Sequence, residues 1–277
     1  MKALALLAAV AVLGGAQARS PIPSFRHAVV IVFENKDYRS VLGSAGAPTF
    51  NRMARRYATV TQYYGVAHPS LPNYLALVSG STQGITSDCT DCEVSAPNLA
   101  DTLAQTGKTW KLYAEDLPAP GFAAPGFRGY AKKHDPFIYF RSVVDSPSRV
   151  RLIVPLTQLA ADERAQALAD FVFVVPNLCH SMHDCSVSTG DRWLRGQLPP
   201  LLALPRTAVF VVFDEGTTDA HGGGHVPALV LGTAVRPHSR FTVLTSHYGL
   251  LRTIEDAWGL ARLGRSQRAR PISGIWR

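Results

Sequence analysis

An α/β fold, with a mainly parallel central sheet covered by helices on both faces, is predicted by three observations in this chain of 277 residues. Residues 28–33 and 207–213 are continuous apolar, β-branched runs, the pattern of strands buried on both faces. Residues 170–176 repeat it. Segments of helical spacing separate these runs, and alternating strands and helices imply βαβ units around a parallel sheet.

The elements follow in order. Lys2, an apolar core over 3–15 and the small-x-small site Ala16-Gln17-Ala18 read as a secretory signal at residues 1–18. The apolar run is too short for a stable transmembrane anchor, and no later stretch reaches spanning length without a charge or proline. Residues 19–277 are therefore expected to form a single soluble domain, periplasmic or secreted. The first strand, 28–33, stops abruptly at Glu34-Asn35-Lys36. A helix is predicted over 49–58, and another over 98–106 with Asn98 as its cap. A strand over 110–113 leads to Glu115-Asp116. Three prolines and three glycines within 117–129 then argue for a long ordered loop. Residues 158–170 read as a helix, and 193–204 as a helix interrupted at Pro199-Pro200. The strand 207–213 ends in Asp214-Glu215-Gly216. A last strand occupies 227–231, and a helix over 247–259 is closed by Gly259.

The chain carries a net charge of +8, which falls by one when Lys2 is removed with the signal. A basic surface favours anionic partners without choosing among them. No helix-turn-helix, zinc finger or RNA-binding aromatic platform is present, so nucleic acid is not expected as a specific partner. The arginines near the end (Arg262, Arg265, Arg268, Arg270 and Arg277) read as a solvated tail rather than a docking site. No phosphate-binding loop of the Gly-x-x-x-x-Gly-Lys-Ser/Thr type occurs, which disfavours a nucleotide-dependent kinase. Oligomeric state is not legible.

Four cysteines form two close pairs, Cys89 with Cys92 and Cys179 with Cys185. Behind a signal peptide such pairs read as two disulfides. A four-thiolate zinc site is the competing reading, but the second pair is too widely spaced for a zinc-ribbon knuckle.

The most informative stretch is HPSLPNY, residues 68–74. Ser70 stands between two prolines ahead of an apolar run, which suits the start of a helix. Free backbone N–H groups and the positive dipole end there favour an anion, usually phosphate. An ordinary capping serine is the plain alternative. Two buried strands ending in Glu34-Asn35 and Asp214-Glu215 place hard oxygen ligands at the carboxyl edge of the sheet, where ligands bind in open α/β folds. With Ser70 they make an oxygen-rich cage for a cation.

Four motifs carry a family resemblance: HAVVIVFENK (27–36), HPSLPNY (68–74), FDEG (213–216) and HYGLLRTIED (247–256). Together they resemble the bacterial phosphoesterase family, which contains acid phosphatases and phosphatidylcholine-type phospholipases C and is similar in fold to alkaline phosphatases. The resemblance spans residues 27–260. It implies a single alkaline-phosphatase-like phosphoesterase domain and a divalent metal ion held by Glu34, Asn35, Ser70, Asp214 and Glu215. An all-oxygen set favours Ca²⁺, Mg²⁺ or Mn²⁺. Ser70 is the expected nucleophile. Asn73, one helical turn on, is expected to donate its amide to a phosphate oxygen. His134 and His183 lie in segments resembling those whose histidines contact phosphate, so both are expected to bind substrate and assist catalysis. His68, His225 and His247 stand beside other motifs and are expected in a supporting shell, at a further metal site or in purely structural roles. His180 departs from the Asn or Asp of relatives, and His221 lies in a glycine-rich loop; neither is assigned. The expected activity is hydrolysis of small phosphate monoesters, with phospholipase C or other phosphodiester hydrolysis as the alternative. Short length favours the former, since the larger phospholipases carry extra C-terminal domains.

Overall fold

A computed structural model describes residues 21–277. The segment read as a signal lies outside them. Eight strands form one sheet: β1 (His27–Phe33), β2 (Ala58–Val60), β3 (Trp110–Ala114), β4 (Ile153–Pro155), β5 (Phe171–Val175), β6 (Thr207–Phe213), β7 (Ala228–Leu231) and β8 (Ser239–Phe241). Their order across the sheet is β8-β2-β7-β6-β1-β5-β3-β4. Only β7 runs antiparallel to its neighbours. The two seven-residue strands β1 and β6 lie side by side in the middle, buried at every position, as their unbroken apolar sequences require.

Helices cover both faces, as register shows. Val30 of β1 pairs with Phe173 of β5, so their side chains share a face. Phe173 packs against Tyr74 of α2 (Ser70–Ser79), ring centroids 6.3 Å apart. Phe33, three residues from Val30, projects to the opposite face. There it meets Phe50 of α1 (Pro48–Arg56) at 5.2 Å and Trp193 of α3 (Val187–Ala203) at 5.8 Å. The closing helix α4 (His247–Trp258) packs beside α2 and ends at Gly259 in left-handed conformation, φ 64°.

The fold departs from expectation in four places. Helix α3 starts at Val187 and runs through Pro199 and Pro200 without a break. The carbonyls those prolines leave unbonded belong to Arg195 and Gly196, which are solvent-exposed, so water can satisfy them. The helix expected over 158–170 is a single 3₁₀-to-α segment ending at Arg164, because Gln166 turns left-handed at φ 54°. Ala58, expected to end a helix, instead opens β2. The arginine-rich end is no solvated tail: Ile272 and Ile275 are buried, and the Trp276 ring packs against Phe25 with centroids 4.9 Å apart. The two expected disulfides, Cys89–Cys92 and Cys179–Cys185, are present.

Candidate active site

The parallel register aligns Phe33 with Phe213, so the next residues, Glu34 and Asp214, leave the sheet side by side at its carboxyl edge. The backbone N–H of Asn35 donates to Asp214 Oδ1 (3.1 Å), which joins the two strand ends. Asn35 itself turns left-handed there, φ 51°, a conformation Asn tolerates better than most residues. Ser70 is the first residue of α2, behind Pro69, which occupies the cap position. Its hydroxyl donates to Glu34 Oε2 (3.0 Å) and Glu215 Oε1 (3.2 Å). It accepts nothing from the N–H groups of its own helix, so the capping role is absent.

Three carboxylates are thus buried together: Glu34 and Asp214 are fully inaccessible and Glu215 is 6 % exposed. Burial is the main cause that raises all three proton affinities. Glu34 moves well above the usual carboxylate range, with Asp214 adding to the effect. Asp214 is pushed up to about 7 by burial and then by the charge of Glu215. Glu215 is raised by burial against the opposing pull of His68. Asp214 Oδ2 is buried with no hydrogen-bond partner. Buried polar atoms are rarely left so, and a donor set of carboxylates short of positive charge fits a divalent cation.

The histidines surround this group. His134 is buried, stacks on Tyr74 at 5.1 Å and brings Nε2 within 3.3 Å of Glu34 Oε1, without the alignment of a hydrogen bond. Burial, followed by nearby Lys133 and His183, holds its pKa well below the usual value, so the ring is neutral. His183 lies half-buried with Nδ1 2.6 Å from Asp184 Oδ1, and the Cys179–Cys185 bridge closes its loop. Ligand atoms of Glu34, His134 and His183 lie within 4.8 Å of one another, so nitrogen donors also stand within reach of a cation. That set would widen the choice of ion beyond those an all-oxygen shell favours. His68 binds Glu215 through Nδ1 and the Thr218 carbonyl through Nε2 (3.1 Å). His247 bridges from Tyr63 Oη (2.9 Å) to the Asp214 carbonyl (2.6 Å), and burial lowers its pKa to about 4. His225 is used elsewhere: it contacts the Thr61 carbonyl and lies between the rings of Tyr38 and Tyr64.

Asn73 corrects an expectation. Its Oδ1 accepts from the N–H groups of Val66 (2.8 Å) and Ala67 (3.2 Å), and its Nδ2 donates to the carbonyls of Ala67 and Pro69. Both amide hydrogens are taken, and the side chain is wholly buried. It shapes the loop before Ser70 and has no hydrogen left for a phosphate.

Three neighbours were not singled out from sequence. The Tyr74 hydroxyl donates to Glu34, and its place four residues after Ser70 on α2 puts both on one helical face, a signal the spacing contained. Lys133 Nζ donates to Asp88 Oδ2 (2.8 Å) and lies 3.4 Å from His183 Nε2; it precedes His134 in the same motif. Asp88 also accepts from the Leu71 N–H (3.0 Å), and no local pattern marks it. His180, left unassigned, is held by Glu115 at 2.9 Å.

The chain is similar to known proteins over almost its whole length. The model of the Phosphoesterase family matches residues 44–261. A phosphatidylinositol-3-phosphatase of Mycobacterium tuberculosis is 35% identical over 265 residues, covering 94% of this chain and 85% of that protein. A probable acid phosphatase of Kluyveromyces lactis is 30% identical, and an acid phosphatase of Aspergillus fumigatus 28%; each match covers 87% of this chain. The matches span only 60% and 57% of those two fungal proteins. Among solved structures, an alkaline phosphatase superfamily protein from Vibrio parahaemolyticus superposes with a TM-score of 0.63 at 15% identity, covering 90% of this chain and 71% of that one. The lipoteichoic acid synthase LtaP of Listeria monocytogenes gives 0.61 at 11%, over 91% and 76%. At such identities the likeness speaks to the fold alone, which is alkaline-phosphatase-like. Family match and curated relatives agree, and the chain belongs to the phosphoesterase family, hydrolases acting on phosphoric ester bonds.

Proposed function

We propose that the protein is an exported, metal-dependent phosphomonoesterase with Ser70 as its nucleophile. One observation carries the reading: the Ser70 hydroxyl is directed at two buried carboxylates while a third, Asp214, keeps an unpaired oxygen beside them. Glu34, Asp214 and Glu215 would hold the cation, with Ser70 and Asn35 as further oxygen donors. A bound divalent ion would acidify the serine hydroxyl and offset charge on the transferred phosphoryl group.

The residues of the chain supply the rest. Ser70 Oγ attacks phosphorus as the ester P–O bond breaks, and its proton is given up to water. Neutral His134 donates an N–H to an equatorial phosphoryl oxygen. Lys133 adds positive charge on the same side. His183, oriented by Asp184, protonates the leaving oxygen. Water then releases phosphate from Ser70. That the relatives in Mycobacterium tuberculosis and Aspergillus fumigatus are both phosphatases supports monoester substrates. The two disulfides support an oxidising compartment.

The test is a panel of phosphate monoesters and diesters assayed with metal-stripped, metal-restored and Ser70→Ala protein. Turnover should favour monoesters and vanish on chelation. Ser70→Ala should fall by several orders of magnitude with a small change in melting temperature. Rapid-quench digestion should find phosphate on Ser70. Full turnover in verified metal-free protein would refute the metal requirement, and a Ser70→Ala variant keeping about a tenth of its rate would refute the nucleophile. Faster cleavage of a diester would favour the phosphodiesterase alternative.

A further inference from the structure

We propose that the protein docks on bilayers carrying anionic lipid through a surface formed by Val243, Leu244 and three arginines, Arg265, Arg268 and Arg270. Among the described residues only three large apolar side chains are exposed, Phe127, Val243 and Leu244, and the last two are adjacent, at 38% and 50% exposure. They border a depression of about 760 Å³ that the three arginines also line, and no carboxylate lines it. None of these arginines forms an ion pair among the described residues, whereas nearby Arg252 and Arg262 both pair with Asp256. Tyr248 lines the same depression, and the Arg265 guanidinium lies over its ring, 5.6 Å from the centroid.

Two kinds of unmet demand therefore meet at one place. Exposed aliphatic side chains gain by leaving water, and guanidinium groups with no carboxylate partner gain by meeting anions. A soluble anion answers only the second. A bilayer with anionic headgroups answers both, since the aliphatic pair can enter the acyl boundary while arginines remain at headgroup level. The surface also lies at the end of the molecule that holds the carboxylates. Thr245–Ser246 pairs with Tyr63–Tyr64, the strand leading toward Ser70, and the next residue, His247, touches the Asp214 carbonyl. Docking there would bring that end toward the lipid. The inference is independent of the reaction proposed above, because its readout is binding.

Flotation of the mature chain with phosphatidylcholine vesicles, with and without about a third phosphatidylserine, tests it at low and high salt. The expected result is flotation only with the anionic vesicles, lost as salt rises. Replacing Arg265, Arg268 and Arg270 together by Gln should weaken partitioning on the order of a hundredfold. Leu244→Ser should weaken it roughly tenfold. Thermal unfolding of each variant should match the parent, which separates lost docking from lost folding. Absence of flotation, equal flotation with neutral vesicles, or an arginine variant that floats like the parent would overturn the proposal. So would a solution dimer that Leu244→Ser dissociates, since the surface would then belong to a second copy.

Discussion

Glu34, Asp214 and Glu215 bind protons more readily in the fold than in the unfolded chain, and a cation competes with those protons. All three are raised by burial, Asp214 to about 7, so below that pH protons compete with metal. Metal affinity is expected to rise with pH through the Asp214 transition near 7, at roughly tenfold per unit for each proton released. Calorimetry in buffers of different ionisation enthalpy should show that proton release, and a pH-independent affinity would rule the cluster out as the binding site. Asp214→Asn replaces a buried carboxyl group whose charged form both burial and Glu215 disfavour. It should abolish metal binding yet stabilise the metal-free protein by roughly 1–2 kcal/mol, a trade expected where a site is built against stability. Asn73 makes the opposite case. Asn73→Ala orphans the buried N–H groups of Val66 and Ala67 and should cost about 2 kcal/mol, with KM for phosphate esters nearly unchanged. A raised KM with unaltered melting temperature would instead mean that its amide contacts substrate.

At the scale of elements, the pairing of α2 with α4 is secured by backbone contact and one buried acid. A Cβ on Gly80, the left-handed residue that closes α2, would stand 2.1 Å from the Leu263 carbonyl oxygen, so only glycine permits the approach. Glu255 of α4 accepts from the Leu263 N–H (2.8 Å) and the Ser266 hydroxyl (2.6 Å), which anchors the final segment to the helix. Burial nevertheless pushes its pKa up from an ordinary 4.5 to about 7. Between those values the folded chain holds a proton that the unfolded chain has released. Stability from this group is therefore greatest below pH 4.5, declines through the interval and is fully lost above about 7. Glu255→Gln should flatten that part of the stability profile, by at most about 3 kcal/mol, in denaturant titrations across the range. An identical slope in parent and variant would show that Glu255 titrates normally.

For the whole molecule, export and oxidation are the expectations to check. The protein recovered from outside the cytoplasm should begin at Arg19 and contain no alkylatable thiol, because Cys89 pairs with Cys92 and Cys179 with Cys185. Mass spectrometry after alkylation reads both. A mature form that retains Lys2, or four labelled cysteines in native protein, would contradict them. No helix among the described residues is long and apolar enough to cross a membrane.

The sequence by itself determined the central strands, their carboxyl-end acids and the start of α2, because burial on both faces and helix initiation leave local patterns. Glu34 and Asp214 were legible for that reason: each ends an apolar run, and a parallel register brings such ends together. Tyr74 was also within reach, from its helical spacing to Ser70. Tertiary structure alone decided the partners of Asp88 and Lys133, which lie 45 residues apart and meet through no shared period. It decided the use of Asn73, whose amide satisfies loop backbone that no periodicity describes. It also divided the late arginines into ion-paired and unpaired groups and buried Ile272 and Ile275 among them. Such assignments depend on which surfaces the folded chain brings together, since a polar side chain takes its role from the group it meets rather than from its neighbours in sequence.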